Sequence, residues 1–230
     1  LLASFLEKRI GDGWIEDFSK IQEIAKFASD PESQKEFVHI KTENKKRLLS
    51  MLSENLKVNH GSSPEFLEQS LLSHEALFDV QIKRIHEYKR QLMQALNLLM
   101  IYYALKKDPN AHLIDRFAIF GGKAAPGYKM AKNIIRLIYC IGRKINRDPA
   151  VEKRLKVIYI ENYNVSKAEI IFPASDLSEQ ISTAGLEASG TGNMKFAING
   201  ALTICTDDGA NVEMREQITE KWWPFLFGAS

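Results

Sequence analysis

The best candidates for binding or catalytic chemistry are the consecutive residues from Glu187 to Lys195, which read Glu-Ala-Ser-Gly-Thr-Gly-Asn-Met-Lys. Two glycines flank Thr191, a lysine follows three residues after the second glycine, and the helix-compatible run 196–198 comes next. Glycines allow the backbone N–H groups of a loop to converge on one point, and the start of a helix adds partial positive charge. The pattern predicts a phosphate-binding loop that leads into a short helix, with Lys195 about one turn inside it.

This loop differs from two common phosphate-binding patterns. A P-loop needs lysine directly after its second glycine, and G-x-G-x-x-G needs a third glycine, where Met194 and Lys195 stand here. The competing interpretation is a tight turn with an exposed lysine. The choice between them depends on the rest of the chain.

A second group of chemically active residues is cationic and lies between a predicted strand and a predicted helix. Cations are unfavourable at a helix N-terminus because the helix dipole is positive there, so four in eight residues need an anion to offset their repulsion. A cleft shared by this turn and the glycine-rich loop would hold two phosphates side by side. The alternative is a solvated basic turn. The residues are Lys83, Arg84, His86, Tyr88, Lys89 and Arg90.

Lys195 is the candidate for covalent chemistry. We expect it to be desolvated among other cations, which would lower its pKa and make its amine available for an imine. An imine to pyridoxal, with the pyridoxal phosphate on the glycine-rich loop, accounts for both the loop and the lysine. A lysine that only anchors a phosphate accounts for one of them.

The hydrophobic pattern predicts the scaffold of these residues. Residues 1–75 are predicted to form a helical, polar lead-in segment, in which Lys45, Lys46 and Arg47 mark a solvated helix face. From Leu77 onward strands alternate with helices, which indicates an α/β fold: a Rossmann-like parallel sheet with helices on both faces, over residues 76–230. Ligands of such sheets bind beyond the carboxyl ends of the strands. The predicted strands are Leu77–Ile82, Phe117–Phe120, Val157–Ile160 and Ala201–Thr206; the predicted helices are Pro64–Leu72, Glu87–Lys107, Pro126–Asn146, Val165–Ile171, one after the glycine-rich loop and one from Ala210.

Composition narrows the class of protein. The chain has 230 residues, of which 45% are hydrophobic and 26% charged, as in ordinary soluble domains. Its net charge of +2 predicts neither a nucleic-acid nor a membrane partner. Cys140 and Cys205 are predicted to be buried thiols of a cytoplasmic protein, and no metal site is predicted. The missing initiator methionine and the terminal apolar run 223–227 suggest a piece of a larger protein.

Longer stretches identify a family. The stretch Glu187–Lys195 resembles the cofactor-lysine signature of the α-glucan phosphorylases, which act on glycogen, starch and maltodextrin. Further stretches are similar to other blocks of that family, in family order: Val80–Gln91, Gly121–Tyr128, Glu161–Ser166 and Asp176–Gly185. Residues 1–75 resemble the family's helical lead-in more loosely.

The resemblance implies the C-terminal, cofactor-carrying half of a two-domain glycosyltransferase of GT-B architecture. The family splits the terminal α-1,4 bond of a glucan with inorganic phosphate and releases glucose 1-phosphate. Pyridoxal 5′-phosphate is held as an imine on the lysine that matches Lys195, and its phosphate exchanges protons with the substrate phosphate. The missing N-terminal domain would form the other wall of the cleft, and the full-length protein is expected to be a homodimer. The 230 residues alone are expected to be inactive.

The resemblance also implies a role for each site residue. It assigns the substrate phosphate to Arg84 and Lys89, and the cofactor phosphate to Lys83 and the backbone of Thr191 and Gly192. It further assigns the glucosyl unit to Glu187, Ser189 and Gly190, with Tyr88 at its rim. Tyr163 would contact the cofactor, and His86 would contact a loop of the missing half.

Three positions depart from the family pattern. Leu186 stands where threonine is common, Ala197 where a larger apolar residue is common, and Cys205 where glycine is usual. Two alternatives remain open. A nucleotide-sugar glycosyltransferase would bind UDP- or ADP-glucose and would not need an imine-forming lysine, and a non-catalytic phosphate- or glucan-binding module would bind without a cofactor.

Overall fold

A computed structural model of the chain describes residues 1–59, 76–151, 153–218 and 225–228. Two 3₁₀ helices, Phe18–Phe27 and Glu87–Lys89, accompany the regular elements. The strands are β1 Leu77–Ile82, β2 Arg116–Gly121, β3 Leu155–Ile160, β4 Leu177–Gln180 and β5 Leu202–Cys205. The helices are α1 Leu2–Ile10, α2 Pro31–Asn59, α3 Gln91–Lys107, α4 Lys129–Asn146, α5 Val165–Ala174, α6 Gly192–Ile198 and α7 Asn211–Gln217.

The strands form one parallel sheet in the order β3-β2-β1-β4-β5, which confirms the predicted α/β class. From β1 the chain proceeds to β2 and β3 on one side, and then returns to place β4 and β5 on the other side. The strand order therefore reverses between β1 and β4. The crevice beyond the carboxyl ends of two such strands is where open parallel sheets bind ligands.

Helices cover both faces of the sheet, as predicted. On one face, Phe78, Val80 and Ile82 of β1 pack with buried residues of α2, α5 and α6. On the other face, Ala118 and Phe120 of β2 pack with buried residues of α3 and α4. Strands buried on both faces need apolar side chains in both directions, and this explains the continuous apolar runs 117–120 in β2 and 157–160 in β3.

Strand β4 was absent from the predicted elements, and its composition explains why. Its sequence is Leu-Ser-Glu-Gln, yet residues 178–180 are buried. Glu179 lies against Asp79 of β1, whose Oδ2 accepts hydrogen bonds from Gln94 and Arg116, both at 2.6 Å. Burial raises the pKa of both carboxyl groups, and their proximity raises that of Glu179 further. The polar strand is stable inside the sheet because its partners are also polar.

The predicted helix over 87–107 is divided in two. A 3₁₀ turn ends at Lys89, Arg90 adopts a left-handed conformation with φ 57°, and α3 begins at Gln91. The Arg90 side chain explains this break, because it donates hydrogen bonds to the carbonyls of Ile181 at 2.5 Å and Ser182 at 3.1 Å. Likewise α4 begins at Lys129 and not at Pro126, after a turn.

Helix α2 packs on the sheet domain, and the solvated face predicted for it is wrong at Lys45. Lys46 and Arg47 are exposed, whereas Lys45 is buried. Its amine lies 2.5 Å from Asp176 and donates to the carbonyl of Ala76 at 3.0 Å. The helix predicted over 64–72 and the predicted boundary at residue 75 lie outside the described residues.

The two cysteines differ in exposure. Cys205 is buried in β5, whose backbone pairs with residues 225–227, but Cys140 is exposed, so its predicted burial is wrong. The buried face of α4 consists of residues 131, 134, 138, 141, 142, 145 and 146, and position 140 lies on the opposite face. None of the described helices is long and apolar enough to cross a membrane.

Candidate functional site

The two predicted groups of site residues follow the two strands between which the sheet order reverses. The basic turn 83–90 follows β1, and the segment 181–195, with the glycine-rich loop, follows β4. Tyr88 and Thr183 join them, since the Thr183 N–H donates to the Tyr88 carbonyl at 2.8 Å. The fold thus brings the turn and the start of the loop segment to one edge of the sheet.

A cleft of about 550 Å³ opens beside the basic turn. Arg84 and Lys123 in its wall are exposed and form no ion pair with the described part of the chain. The imidazole ring of His86 lies between the rings of Tyr88 and Tyr128, with centroid distances of 4.7 and 4.9 Å. The cleft therefore combines unpaired positive charge with an aromatic wall. Its lining residues are Arg84, Ile85, His86, Tyr88, Lys89, Lys123, Ala125 and Tyr128.

Lys123 and Tyr128 were not among the predicted site residues. Both follow β2, which is the neighbour of β1 in the sheet, so the carboxyl ends of these strands lie side by side. The position of Lys123 just after a predicted strand was a usable signal, but the sequence did not show which strands are neighbours.

Lys83 lies at the base of the site, directly after β1. Its amine donates a hydrogen bond to the Gln180 side chain at the end of β4, at 2.8 Å. Burial, together with the positive charge of Lys89, lowers the pKa of Lys83 to about 8, against the opposing effect of Glu187. Lys83 is therefore a cation that loses its charge close to neutral pH.

Lys89 and Glu187 form the direct link between the basic turn and the glycine-rich loop. The Lys89 amine makes a short charge-assisted hydrogen bond to Glu187 Oε2 and lies 4.7 Å from the centroid of the Tyr88 ring. Burial works to lower the pKa of Lys89, but the hydrogen bonds to Glu187 and Tyr88 outweigh it and raise that pKa above the usual value. This lysine stays charged at neutral pH.

Asp208 organises the segment before the glycines, and it was not among the predicted site residues. Its carboxylate accepts hydrogen bonds from the Ser182 hydroxyl at 2.7 Å and from the backbone N–H groups of Gly185 and Glu187, each at 3.0 Å. Gly209 continues the contact, since a Cβ there would lie 2.4 Å from the Ser189 carbonyl oxygen. The only signal in the sequence was that Asp208 follows the last predicted strand.

Replacing Asp208 by alanine is expected to loosen this segment. The hydroxyl and the two N–H groups that donate to Asp208 would lose their charged acceptor, which lowers the local stability by about 2–4 kcal/mol in total. Amide hydrogen exchange at Gly185 and Glu187 should therefore accelerate about 30-fold or more. Asp207→Ala is the matched control, because Asp207 pairs with Arg215 at 3.2 Å and makes no bond to this segment. Equal exchange rates in both variants would show that Asp208 does not hold the segment.

The start of α6 has room for a ligand. Gly190 adopts φ 79°, and apart from the adjacent residues and the backbone of its own helix nothing lies within 4 Å of the position that a Cβ of Gly192 would occupy. Thr191 is exposed and makes no side-chain hydrogen bond at the helix start. The backbone at the helix start is therefore accessible.

Lys195 is exposed, so the prediction of a desolvated lysine at this position is wrong for this chain. Its amine lies 6.0 Å from the centroid of the Phe172 ring and makes no hydrogen bond or ion pair with the described residues. No contact in the described structure joins Lys195 to the cleft.

Two further predicted residues lie outside the cleft wall. Tyr163 is partly buried and packs against the core on the α5 side, and burial raises its pKa. The Ser189 hydroxyl is exposed and donates to the Gly190 carbonyl at 3.0 Å. Within the described ranges, no group of His, Cys, Asp or Glu side chains is arranged to hold a metal ion.

Comparison with known proteins agrees with the motifs. The family model described as carbohydrate phosphorylase matches residues 1–230. The chain is 48% identical over 227 residues to the muscle form of glycogen phosphorylase from Homo sapiens and from Mus musculus. It is also 48% identical to the human liver form. Each alignment covers 99% of this chain and 25% of the relative, so the chain spans about a quarter of the length of these relatives.

Proposed function

Because this chain belongs to the carbohydrate phosphorylase family, we propose that the full-length protein is an α-glucan phosphorylase that acts in glycogen breakdown. It would cleave the terminal α-1,4 bond of the glucan with inorganic phosphate and release glucose 1-phosphate. The observation that carries the proposal is the bond between Lys89 and Glu187, which joins the basic turn to the loop segment that ends in Lys195. The relatives named glycogen phosphorylase support it.

The residues present fit pyridoxal phosphate as the cofactor. The space around Gly192 is open, Lys195 is accessible and has no polar partner among the described residues, and Lys83 provides a cation next to the site. When bound, the cofactor would supply a phosphate group that exchanges a proton with the substrate phosphate. Lys195 would hold the cofactor covalently, and Tyr163 would contact it.

The cations of this chain would hold two phosphates close together. Lys83 and the backbone of Thr191 and Gly192 would bind the cofactor phosphate, whereas Arg84 and Lys89 would bind the substrate phosphate. Two adjacent phosphates repel one another, and fixed positive charges in a partly dry cleft offset that repulsion. The pairing of Lys89 with Glu187 keeps this lysine charged and oriented before substrate arrives.

The remaining site residues would bind the sugar and border the entrance. Glu187, Ser189 and Gly190 would contact the glucosyl unit, and Tyr88 would lie at its rim. His86, between two tyrosine rings at the outer wall, would meet a loop from another part of the protein.

The proposal extends beyond this chain to the rest of the molecule. An N-terminal domain of the same protein would form the other wall of the cleft, and the full-length protein would be a homodimer. Neither Cys140 nor Cys205 forms a disulfide, which suits a reducing compartment such as the cytoplasm.

Borohydride reduction of the full-length protein, supplied with pyridoxal phosphate, tests this function. We expect peptide mass mapping to find a pyridoxyl group on Lys195, and we expect Lys195→Arg to lose both this label and the phosphorolysis of glycogen. Lys167→Arg is the control, since Lys167 bonds the Glu161 carbonyl and is not a site residue.

An unlabelled Lys195 in wild-type protein would contradict the proposal. Calorimetric titration with UDP-glucose and ADP-glucose would then test the nucleotide-sugar alternative. A protein that binds phosphate or glucan but none of these ligands would be a non-catalytic module.

A further inference from the structure

One of the two buried lysines in the described part of α2, Lys41, contacts the ends of two helices of the α/β domain. Lys41 is 8% exposed. Its amine donates to the carbonyls of Pro173 at 3.0 Å and Asn199 at 3.3 Å, and more closely to that of Ser175. Pro173 and Ser175 lie at the end of α5, and Asn199 directly follows α6. A cation is favoured there, because carbonyl groups at helix C-termini lack partners within the helix.

The two helices that Lys41 joins meet beside Lys195. The rings of Phe172 in α5 and Phe196 in α6 pack edge to face, with centroids 4.5 Å apart. The Lys195 amine lies over the same Phe172 ring, at 6.0 Å. A shift of α6 relative to α5 would therefore move the base of the Lys195 side chain relative to the rest of the site.

Helix α6 is short, so contacts at its two ends determine its orientation. It has seven residues. Near its start, the Asn193 side chain donates to Asn211 at 2.8 Å. At its end, Lys41 binds Asn199, and Phe37 of α2 packs so closely on Gly200 that a Cβ there would lie 2.4 Å from the Phe37 ring. Helix α2 therefore supplies the contacts that hold the C-terminal end of α6.

The surroundings of Lys41 indicate that its position is costly and specific. Burial lowers the pKa of Lys41 to about 8, with a smaller contribution from Lys45 and against the opposing effect of Asp176. An exposed lysine would avoid this penalty. The amine is retained inside because it donates to three carbonyl groups at the ends of the two helices, and these hydrogen bonds offset the cost of its burial.

We propose that Lys41 is a positioning residue for Lys195, and that it holds the ends of α5 and α6 together so that the Lys195 amine is aimed at the cofactor. This inference rests on the proposed function. Lys41 itself does not touch the cofactor or the substrate. Its contribution is to fix the geometry of a reacting lysine whose own side chain has no polar partner among the described residues.

The test compares how fast and how completely Lys195 is labelled. Full-length apoprotein is mixed with pyridoxal phosphate, samples are quenched with borohydride over time, and the pyridoxyl fraction on Lys195 is read by peptide mass mapping. In Lys41→Met we expect labelling of Lys195 to need about tenfold more cofactor. The reason is that a displacement of a reacting group by about 1 Å lowers its reactivity by at least this factor. Lys41→Arg keeps a buried cation and should restore most of the labelling.

Lys46→Met is the matched control, because Lys46 lies on the same helix but is exposed and pairs with Glu43 at 2.7 Å. It should label as wild type does. Circular dichroism establishes which variants are folded, and if Lys41→Met does not fold, Lys41→Gln takes its place in the same comparison. Labelling of the folded variant equal to that of wild type would overturn this inference alone. An unlabelled wild-type Lys195 would overturn the proposed function together with it.

Discussion

Replacing Lys89 by methionine is expected to lower kcat/KM of the full-length protein for phosphorolysis by about two to three orders of magnitude. The variant loses the charge that would bind the substrate phosphate and leaves Glu187 without its partner in a partly buried site. An unpaired carboxylate next to the phosphate would add repulsion to the lost attraction. The KM for phosphate should rise strongly, whereas the KM for glucan should change only weakly.

Initial rates at varied phosphate and varied glucan concentrations measure this effect. Lys123→Met is the matched control, because Lys123 lines the same cleft but is exposed and has no ion-pair partner among the described residues. Its kcat/KM should change less than about tenfold, as expected for an exposed charge. A Lys89→Met enzyme that behaves like the control would refute the phosphate role of Lys89.

Raising the pH from 8 to 9 is expected to weaken binding of the cofactor phosphate about fivefold, because Lys83 loses its proton over that range. Burial holds the pKa of Lys83 near 8, and only the ammonium form attracts an anion. Binding should therefore be strongest below pH 8 and fall as the pH rises through this value. The phosphate itself does not contribute to the change, because its second ionisation, at about pH 6, is already complete.

Calorimetric binding of pyridoxine 5′-phosphate to the full-length apoprotein isolates this effect, since the ligand has no aldehyde and cannot react with Lys195. Lys83→Arg should bind with nearly equal affinity at both pH values, because arginine stays charged. Lys83→Met should bind about tenfold or more weakly at either pH, as expected for the loss of a charge-assisted hydrogen bond. The same pH dependence in wild type and Lys83→Arg would assign the titration to another group.

The sequence by itself determined the elements whose signals are local. The alternating pattern of β1 and the apolar runs of β2 and β3 are separated by long helices, and this spacing predicts a parallel α/β sheet, which the structure confirms. The glycine-rich stretch that ends in Lys195 identified the family, which the match over the whole chain then established. These conclusions depend on patterns among residues that are close together in the chain, and such patterns can be read directly from the sequence.

Only the tertiary structure decided the features that depend on distant partners. Strand β4 has no apolar pattern, and it lies inside the sheet because Glu179 meets Asp79, 100 residues earlier in the chain. Lys45 belongs to a basic run that resembles a solvated helix face, but it is buried because it forms an ion pair with Asp176. In both cases the burial of an ionisable side chain is decided by a partner that no local pattern reveals.

The candidate site shows the same division. The types of residue that bind phosphate were evident from the sequence, because glycines and cations cluster there. Which lysine is buried was not evident: Lys83 is held near Gln180, Lys89 near Glu187, and Lys195 is exposed. Burial and pairing depend on the three-dimensional neighbours of each amine, and those neighbours are set by the order of strands in the sheet, which no single stretch of sequence contains.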